Sequence, residues 1–470
     1  MRPSSETVEI REKAELPGRL RGLSLPAQVW VLAIWPFLEQ VLNFAVNLVD
    51  LVLAGRLETE EQSIAAVGAI GAAGFVAWLI AVVMGTLGTG AGALVARAVG
   101  ASHRGLAQAA LGQAMMASGL LGVVVGIIAF IAAPSFAHLI GLDGQGFVMG
   151  VTYLRIVATV TPAVALLFVG TACLRSAGDT RTPFITMAVV NVVNVAISCL
   201  LVFGPAPLGG HGVAGIAIGT ACAWVLGAVI VVAVVLWPNN RVLRLRLHRL
   251  WPHRQTLGRI LHVGIPAFLE NAMGTWLATF AVAIMVGSLG GTTSLGAHML
   301  AIRIEAISFQ PGFALGVAAA TLAGQYLGLG DPARARQAVM LCWGAGVVVM
   351  GAVGIVFVAA PAMLVGIIAD VPMLVEQAAP LVRICGYVQV GFATYLVLSF
   401  ALRGAGDTRT TMWITFACVY GVRVPGAYVL GIWMGWGLVG VWIALCSDLT
   451  LKGICFGWRF LQGGWIRVKV

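Results

Sequence analysis

A chain of 470 residues that is 60% hydrophobic and 10% charged, with a mean hydropathy of +0.98, carries too few charges for a water-soluble globule, in which about a quarter of residues are charged. Its long apolar runs lack the roughly ten-residue alternation of transmembrane β-barrel strands. Composition therefore leaves an all-α polytopic membrane protein. The net charge of +10 would suit a nucleic-acid binder, but the placement of the charges excludes that partner.

In chain order, residues 1–26 are polar and mixed in charge with no apolar h-region, and read as a cytoplasmic N-tail rather than a cleaved signal peptide. A bilayer-crossing helix needs about 20 apolar residues. Twelve stretches meet this: 27–53, 64–96, 105–132, 148–173, 182–204, 213–237, 260–288, 296–326, 334–360, 376–402, 411–431 and 437–460. An even number of spans puts both termini on one side. The tails and loops of that side, counted with the adjoining span ends that carry Arg334, Arg336, Lys452 and Arg459, hold 23 of the 28 Lys and Arg residues; the other side holds Arg56, and Arg155, Arg303, Arg383 and Arg423 fall deeper within spans. The positive-inside rule then predicts cytoplasmic termini in the cell membrane. The arginines of RVLRLRLHRLWPHR (241–254) are expected to face anionic lipid rather than nucleic acid.

LRSAGDTRT at 174–182 returns as LRGAGDTRT at 402–410, an offset of 228. At that offset Gly100 meets Gly328, Ala110 meets Ala338 and Arg155 meets Arg383, and PFLE at 36–39 is loosely matched by PAFLE at 266–270. Residues 27–237 and 260–460 therefore read as two six-helix lobes, joined by a basic cytoplasmic linker at 238–259 and followed by a C-tail at 461–470. Each lobe has an even number of spans, so the repeats are parallel, related by an axis along the membrane normal, with a cavity expected between them.

Acids inside spans are costly unless they face a cavity, pair or take up a proton; here they are Glu39, Asp50, Glu270, Glu305 and Asp448. In the first span, Asp50 lies about 20° round from Glu39 and three turns on, with Asn43 and Asn47 on nearly the same face. Asp50 reads either as a packing carboxylate near the interface, paired with Arg56, or as a coupling-ion site. A poorly hydrated carboxylate can carry a proton, and amide oxygens around it could instead complete a Na⁺ site. No structural metal is expected. Glu39 and Glu270 each follow a proline that loosens its helix, Pro36 and Pro266; they are candidates for contacting a cation or substrate, or for bonding a freed backbone group, and Asn271 follows Glu270.

Asn191, Asn194 and Ser198 share one face of the fifth span, as interhelical glue or as lining of the same cavity as Asp50. In the eighth span His298 and Glu305 lie two turns apart, before Gln310 and Pro311; the readings are a His–Glu relay or an ion pair of Glu305 with Arg383 or Arg423. Asp179 and Asp407 are placed to cap the helices that follow them, and Asp448 and Lys452 to pair at i, i+4. The eight cysteines are scattered without CxxC spacing and read as packing residues. Without a P-loop, HExxH or GxSxG motif, neither ATP drive nor an enzyme is expected, and no cofactor.

These motifs resemble the multidrug and toxic compound extrusion (MATE) family of secondary antiporters. They are the first-span pattern running from Pro36 through Val49-Asp50 to Gly55, the paired LRxAGDTRT turns, GHGVAGIAIGT at 210–220, and GAHMLAIRIEAISFQPGFALGVAAATLAGQYLGLGDPARA at 296–335. The resemblance covers about 27–465 and implies twelve helices in two lobes that export organic, often cationic or amphipathic, compounds in exchange for H⁺ or Na⁺. Under it Asp50 is the coupling aspartate, supported by Asn43, Asn47, Asn194 and Ser198. Glu270 resembles a glutamate of the NorM-like branch, and Asn194 an asparagine of the DinF-like branch. Ser198 stands where the DinF-like pattern has an aspartate, and Phe392 where the NorM-like one has another, so the site mixes the two. Glu270, Glu39, Asn191, Asn271, Glu305 and Gln310 are the expected cavity residues. The partners implied are small organic substrates and the lipid bilayer, and the protein is expected to be a monomer. A flippase for a lipid-linked precursor is the alternative and predicts a strongly cationic cavity; a channel predicts a continuous pore.

Overall fold

The computed structural model describes residues 16, 18–54, 60–139, 142–205, 208–237, 243–368 and 371–468. The first lobe contains α1 (Leu25–Ala54), α2 (Glu60–Gly100), α3 (Arg104–Leu139), α4 (Gly144–Thr159), α5 (Thr161–Ser176), α6 (Arg181–Phe203) and α7 (Gly212–Leu236). The second contains α8 (Arg254–Asn271), α9 (Ala278–Leu329, turning at Gly290 and Gly291), α10 (Pro332–Ala359), α11 (Pro361–Ile368), α12 (Pro372–Tyr387), α13 (Gln389–Gly404), α14 (Thr408–Cys418), α15 (Val424–Gly426) and α16 (Gly437–Gln462). Among the described residues, ten helices are long and apolar enough to cross a bilayer, and two bent pairs bring the number to twelve spans.

The fourth and tenth spans, expected at 148–173 and 376–402, are each a bent pair of helices. The chain turns by 57° between α4 and α5 and by 61° between α12 and α13. The breaks fall on Val160 and Val388, equivalent residues with nearly identical backbone angles (φ −99°, ψ 5°; φ −100°, ψ 4°). A broken helix in lipid must find new partners for its freed carbonyls. Thr161 Oγ1 donates to the Val157 carbonyl at 3.4 Å, and Gln389 Nε2 to that of Cys385 at 3.3 Å. The third helix of each lobe packs into the bend through a glycine: a Cβ on Gly126 would lie 2.7 Å from the Ala158 oxygen, and one on Gly354 2.7 Å from that of Gly386.

The seventh and eleventh spans contain wide turns. A π-helical segment, Ala272–Leu277, links α8 to α9, and two more, Val419–Arg423 and Ala427–Trp433, flank α15. They meet at Gly274, where a Cβ would stand 2.9 Å from Thr415 Cγ2. Their first-lobe counterparts α1 and α6 are continuous α-helix.

Both LRxAGDTRT turns lie at one end of the bundle, called here the motif face. Asp179 accepts from Thr182 N at 3.2 Å and is joined by Arg19 of the N-terminal segment at 3.3 Å; Asp407 accepts from Thr410 Oγ1 at 2.6 Å and from Arg459 Nη2, near the end of α16, at 2.7 Å. The lobes join toward this face, with α1 on α9 and α2 on α8 and α9. The approach requires glycine. A Cβ on Gly100 would land on the Gln325 carbonyl, and one on its equivalent, Gly328, on the Arg97 carbonyl. The side chains of the same two partners then cross the seam as a near-symmetric pair: Arg97 Nη2 donates to the Ala405 oxygen at 2.8 Å and Gln325 Nε2 to the Ser176 oxygen at 3.0 Å. Tyr326 OH to Gln28 Oε1 (2.8 Å) and Gln40 Nε2 to Gln310 Oε1 (3.2 Å) link α1 with α9.

Candidate substrate cavity and ion site

The polar face expected on the fifth span, here α6, meets α1 and α7. Asn191 Nδ2 donates to Asn43 Oδ1 at 2.9 Å. One turn on, Ser198 Oγ donates to Asn194 Oδ1, and Asn194 Nδ2 to Thr220 Oγ1, both at 3.2 Å. Asn191, Asn194, Ser198 and Thr220 are all buried. Buried amides and hydroxyls need such partners, since each unmet group costs on the order of 1–3 kcal/mol. Thr220, in GHGVAGIAIGT, had not been singled out as polar lining. The side chains of Asn47 and Asp50, also on α1, lie outside the described residues.

Glu39 and Glu270 occupy equivalent settings. Glu39 Oε1 accepts from Arg175 Nη2 at 2.6 Å, and Glu270 Oε1 from Arg403 Nη2 at 2.7 Å. The arginines are the same residue of the two LRxAGDTRT repeats; α5 and α13 run one residue past them, to Ser176 and Gly404, and Gly178 and Gly406 then close the turn with positive φ (92° and 94°). The two pairs differ in completeness. Glu270, fully buried, also accepts from Thr411 Oγ1 and Thr415 Oγ1, each at 2.8 Å. At the offset of 228 the first lobe has Pro183 and Met187 there, and Glu39 Oε2 is buried with no hydrogen-bond partner. Glu270 is thus a closed carboxylate rather than an open one, and neither glutamate caps a carbonyl freed by its proline.

The remaining second-lobe residues are placed as follows. Asn271 Nδ2 donates to the Ala267 carbonyl at 2.8 Å, within its own helix. Asp448 Oδ2 accepts from Arg423 Nη2 at 2.7 Å and from Lys452 Nζ at 2.9 Å, with Lys452 Nζ 5.3 Å from the Tyr395 ring centre. Arg423 is therefore held by Asp448, which takes its hydrogen bond. His298 Nδ1 accepts from Trp442 Nε1 at 3.0 Å, edge to face with that ring. Glu305 itself is half-buried.

Between the lobes lies a cavity of about 270 Å³. Its walls come from α2, α5, α9 and α13, and include Thr89, Phe168, Arg175, Thr321, Phe400 and Arg403. The arginines were read from sequence as loop charges. The glycine three residues after each was the signal that could have placed them in a last helical turn, because a positive-φ glycine commonly closes a helix.

Two parallel six-helix lobes closed against each other at one end, with a cavity at their interface and a separate buried polar cluster inside one lobe, fit the architecture of a secondary transporter. The MatE family model matches the chain twice, over residues 37–200 and 266–429, one stretch in each lobe. The chain belongs to the MatE family of multidrug and toxic compound extrusion transporters; it is a multi-pass membrane transporter and not an enzyme. It is similar to the probable multidrug resistance protein NorM of Thermotoga maritima, 28% identical over 98% of this chain and 95% of that protein. It is also similar to the multidrug resistance protein PmpM of Pseudomonas aeruginosa, 27% identical over 92% and 93%. Among solved structures, a multidrug resistance MATE family transporter of the MOP superfamily in an outward-facing conformation superposes with a TM-score of 0.87, covering 95% of this chain and 98% of that one at 19% identity, a likeness of fold.

Proposed function

We propose that this protein exports amphipathic organic compounds across the cell membrane, driven by inward flow of H⁺ or Na⁺. The observation that carries the reading is the separation of two sites. The amide and hydroxyl cluster of the first lobe (Asn43, Asn191, Asn194, Ser198, Thr220) lies on α1, α6 and α7, α1 being the helix that bears Asp50, while the cavity sits between the lobes. An ion taken up at the cluster can then compete with a substrate through helix movement rather than by direct displacement. With the motif face cytoplasmic, as the arginine distribution favours, the structure is closed toward the cytoplasm, the state that receives the ion from outside. The names of the similar multidrug resistance proteins support the substrate class. The flippase alternative needs net positive charge for a pyrophosphate head, and Arg175 and Arg403 are each offset by a glutamate.

The test is drug efflux from proteoliposomes with Na⁺ and pH gradients imposed separately. One gradient is expected to drive efflux, and Asp50→Asn to abolish that dependence. Efflux by Asp50→Asn equal to wild type under both gradients would remove the ion site from the first lobe.

A further inference from the structure

The cavity between the lobes is walled by one arginine from each lobe, and neither guanidinium has all its donors used within the protein. Arg175 and Arg403 both line it. Each gives Nη2 to the glutamate of its own lobe, and each leaves its Nε–H buried without a hydrogen-bond partner. A buried polar group is nearly always satisfied, and an exception calls for a cause. Arg97 and Arg244 share this feature among the described residues, but Arg175 and Arg403 are equivalent residues of the two repeats and both belong to the wall of one cavity.

The rest of the wall narrows the chemistry. Thr89 adds a hydroxyl, and Phe313 and Phe400 stand edge to face with ring centres 5.3 Å apart, with the Arg403 guanidinium carbon 5.7 Å from the Phe400 centre. The glutamates that would attract a cation are not among the lining residues, and their charges balance the two guanidiniums. The cavity therefore offers hydrogen-bond donors and aromatic faces with no excess charge, a setting for one carboxylate or sulfonate rather than a polyanion. Its volume of about 270 Å³ falls just below the roughly 300–1,000 Å³ of drug-sized sites, which suits a compact bicyclic acid.

We propose that this cavity binds the anionic group of an aromatic amphiphile, the carboxylate bridging Arg175 of one lobe and Arg403 of the other. This deepens the exporter reading and rests on it for the statement that the ligand is cargo. Because the two arginines belong to different lobes, the bound anion ties the lobes across the seam and favours the state closed at the motif face.

The experiment titrates the full-length protein in nanodiscs, calorimetrically, with three ligands of one shape: 2-naphthoate, neutral 2-naphthamide and cationic 2-naphthylmethylammonium. Naphthoate is expected to bind at least tenfold more tightly than the amide. Arg175→Gln and Arg403→Gln should each bring that preference to within twofold. So should the charge-balanced pairs Glu39→Gln with Arg175→Gln and Glu270→Gln with Arg403→Gln, which keep the interior neutral and guard against misfolding. Arg155→Gln, on α4 with its guanidinium against Phe130, should leave the preference intact. Equal binding of acid and amide, tightest binding of the cation, or a tenfold preference surviving in both balanced pairs overturns the proposal. No gradient is involved, so the two readings fail separately. Drug efflux without carboxylate preference removes this site alone, and carboxylate preference without efflux under either gradient removes the exporter reading alone.

Discussion

The inequality between the two Glu–Arg pairs can be measured. Glu270→Gln replaces a carboxylate that accepts from Arg403, Thr411 and Thr415 by an amide that keeps one acceptor and turns an NH₂ toward donors. It also leaves the Arg403 guanidinium, whose side chain is 14% exposed, without its counter-charge. Uncompensating a buried ion pair costs about 3–5 kcal/mol, and hydrogen bonds to charged groups are worth about 1.5–3 kcal/mol each, so a loss of about 3–5 kcal/mol is expected. Glu39→Gln removes the charge opposite Arg175 as well, but only one hydrogen bond is at stake and the second carboxylate oxygen already lacks a partner. Here the expected loss is about 1–3 kcal/mol. The assay is unfolding in mixed micelles titrated with SDS, on both variants and on the double variant Thr411→Val/Thr415→Val, which should reduce the gap. Equal losses, or a larger loss for Glu39→Gln, would refute the claim that the threonines distinguish the two lobes.

Three further outcomes are expected. Gly100→Ala and Gly328→Ala place a methyl on the opposing backbone at the seam, so spin labels at the motif-face ends of α2 and α9 should report longer distances in either variant; unchanged distances would mean that the crossing is not close-packed. Gln113 holds the linker through the Arg249 and Trp251 carbonyls at 2.8 and 2.7 Å and accepts from His253 N at 2.8 Å; Gln113→Ala should speed amide hydrogen exchange across 249–254 while leaving α14 unaffected. Asp448→Asn strands Arg423 beside Lys452 and should cost about 3–5 kcal/mol, whereas Lys452→Met, which keeps Arg423 on the carboxylate, should cost less than about 1.5 kcal/mol; similar losses would show that the triad does not work as a unit.

Hydropathy alone marked the spans, because lipid tolerates few other sequences, and the repeated nonapeptide revealed the two lobes. What local pattern could not show is where helices bend or whom they meet. The break at Val160 has a sequence cue in Thr161-Pro162, but the equivalent break at Val388 is followed by Gln389-Val390 and has none. There the geometry is imposed by packing, with Gly354 of α10 against Gly386. The polar face of α6 was legible from its spacing, but its partnership with Asn43 and Thr220 is a property of the bundle. The arginines of the cavity were hidden by the positive-inside rule itself. That rule assigns an arginine at the end of an apolar run to a cytoplasmic loop, whereas Arg175 and Arg403 remain in the last helical turn and point back toward the glutamate of their own lobe.

The wide turns of the seventh and eleventh spans give the second lobe a mechanical property that the first lacks. A π turn holds one residue more than an α turn. Passing that residue along the helix moves everything beyond it by about 1.5 Å and turns it by about 100°. The seventh span holds such slack where Gly274 touches Thr415, and the eleventh holds it from Val419, one turn beyond that contact. The second lobe can therefore rotate its far segments about a fixed charged anchor by redistributing residues between turns, a freedom that α1 and α6, without π turns, do not share.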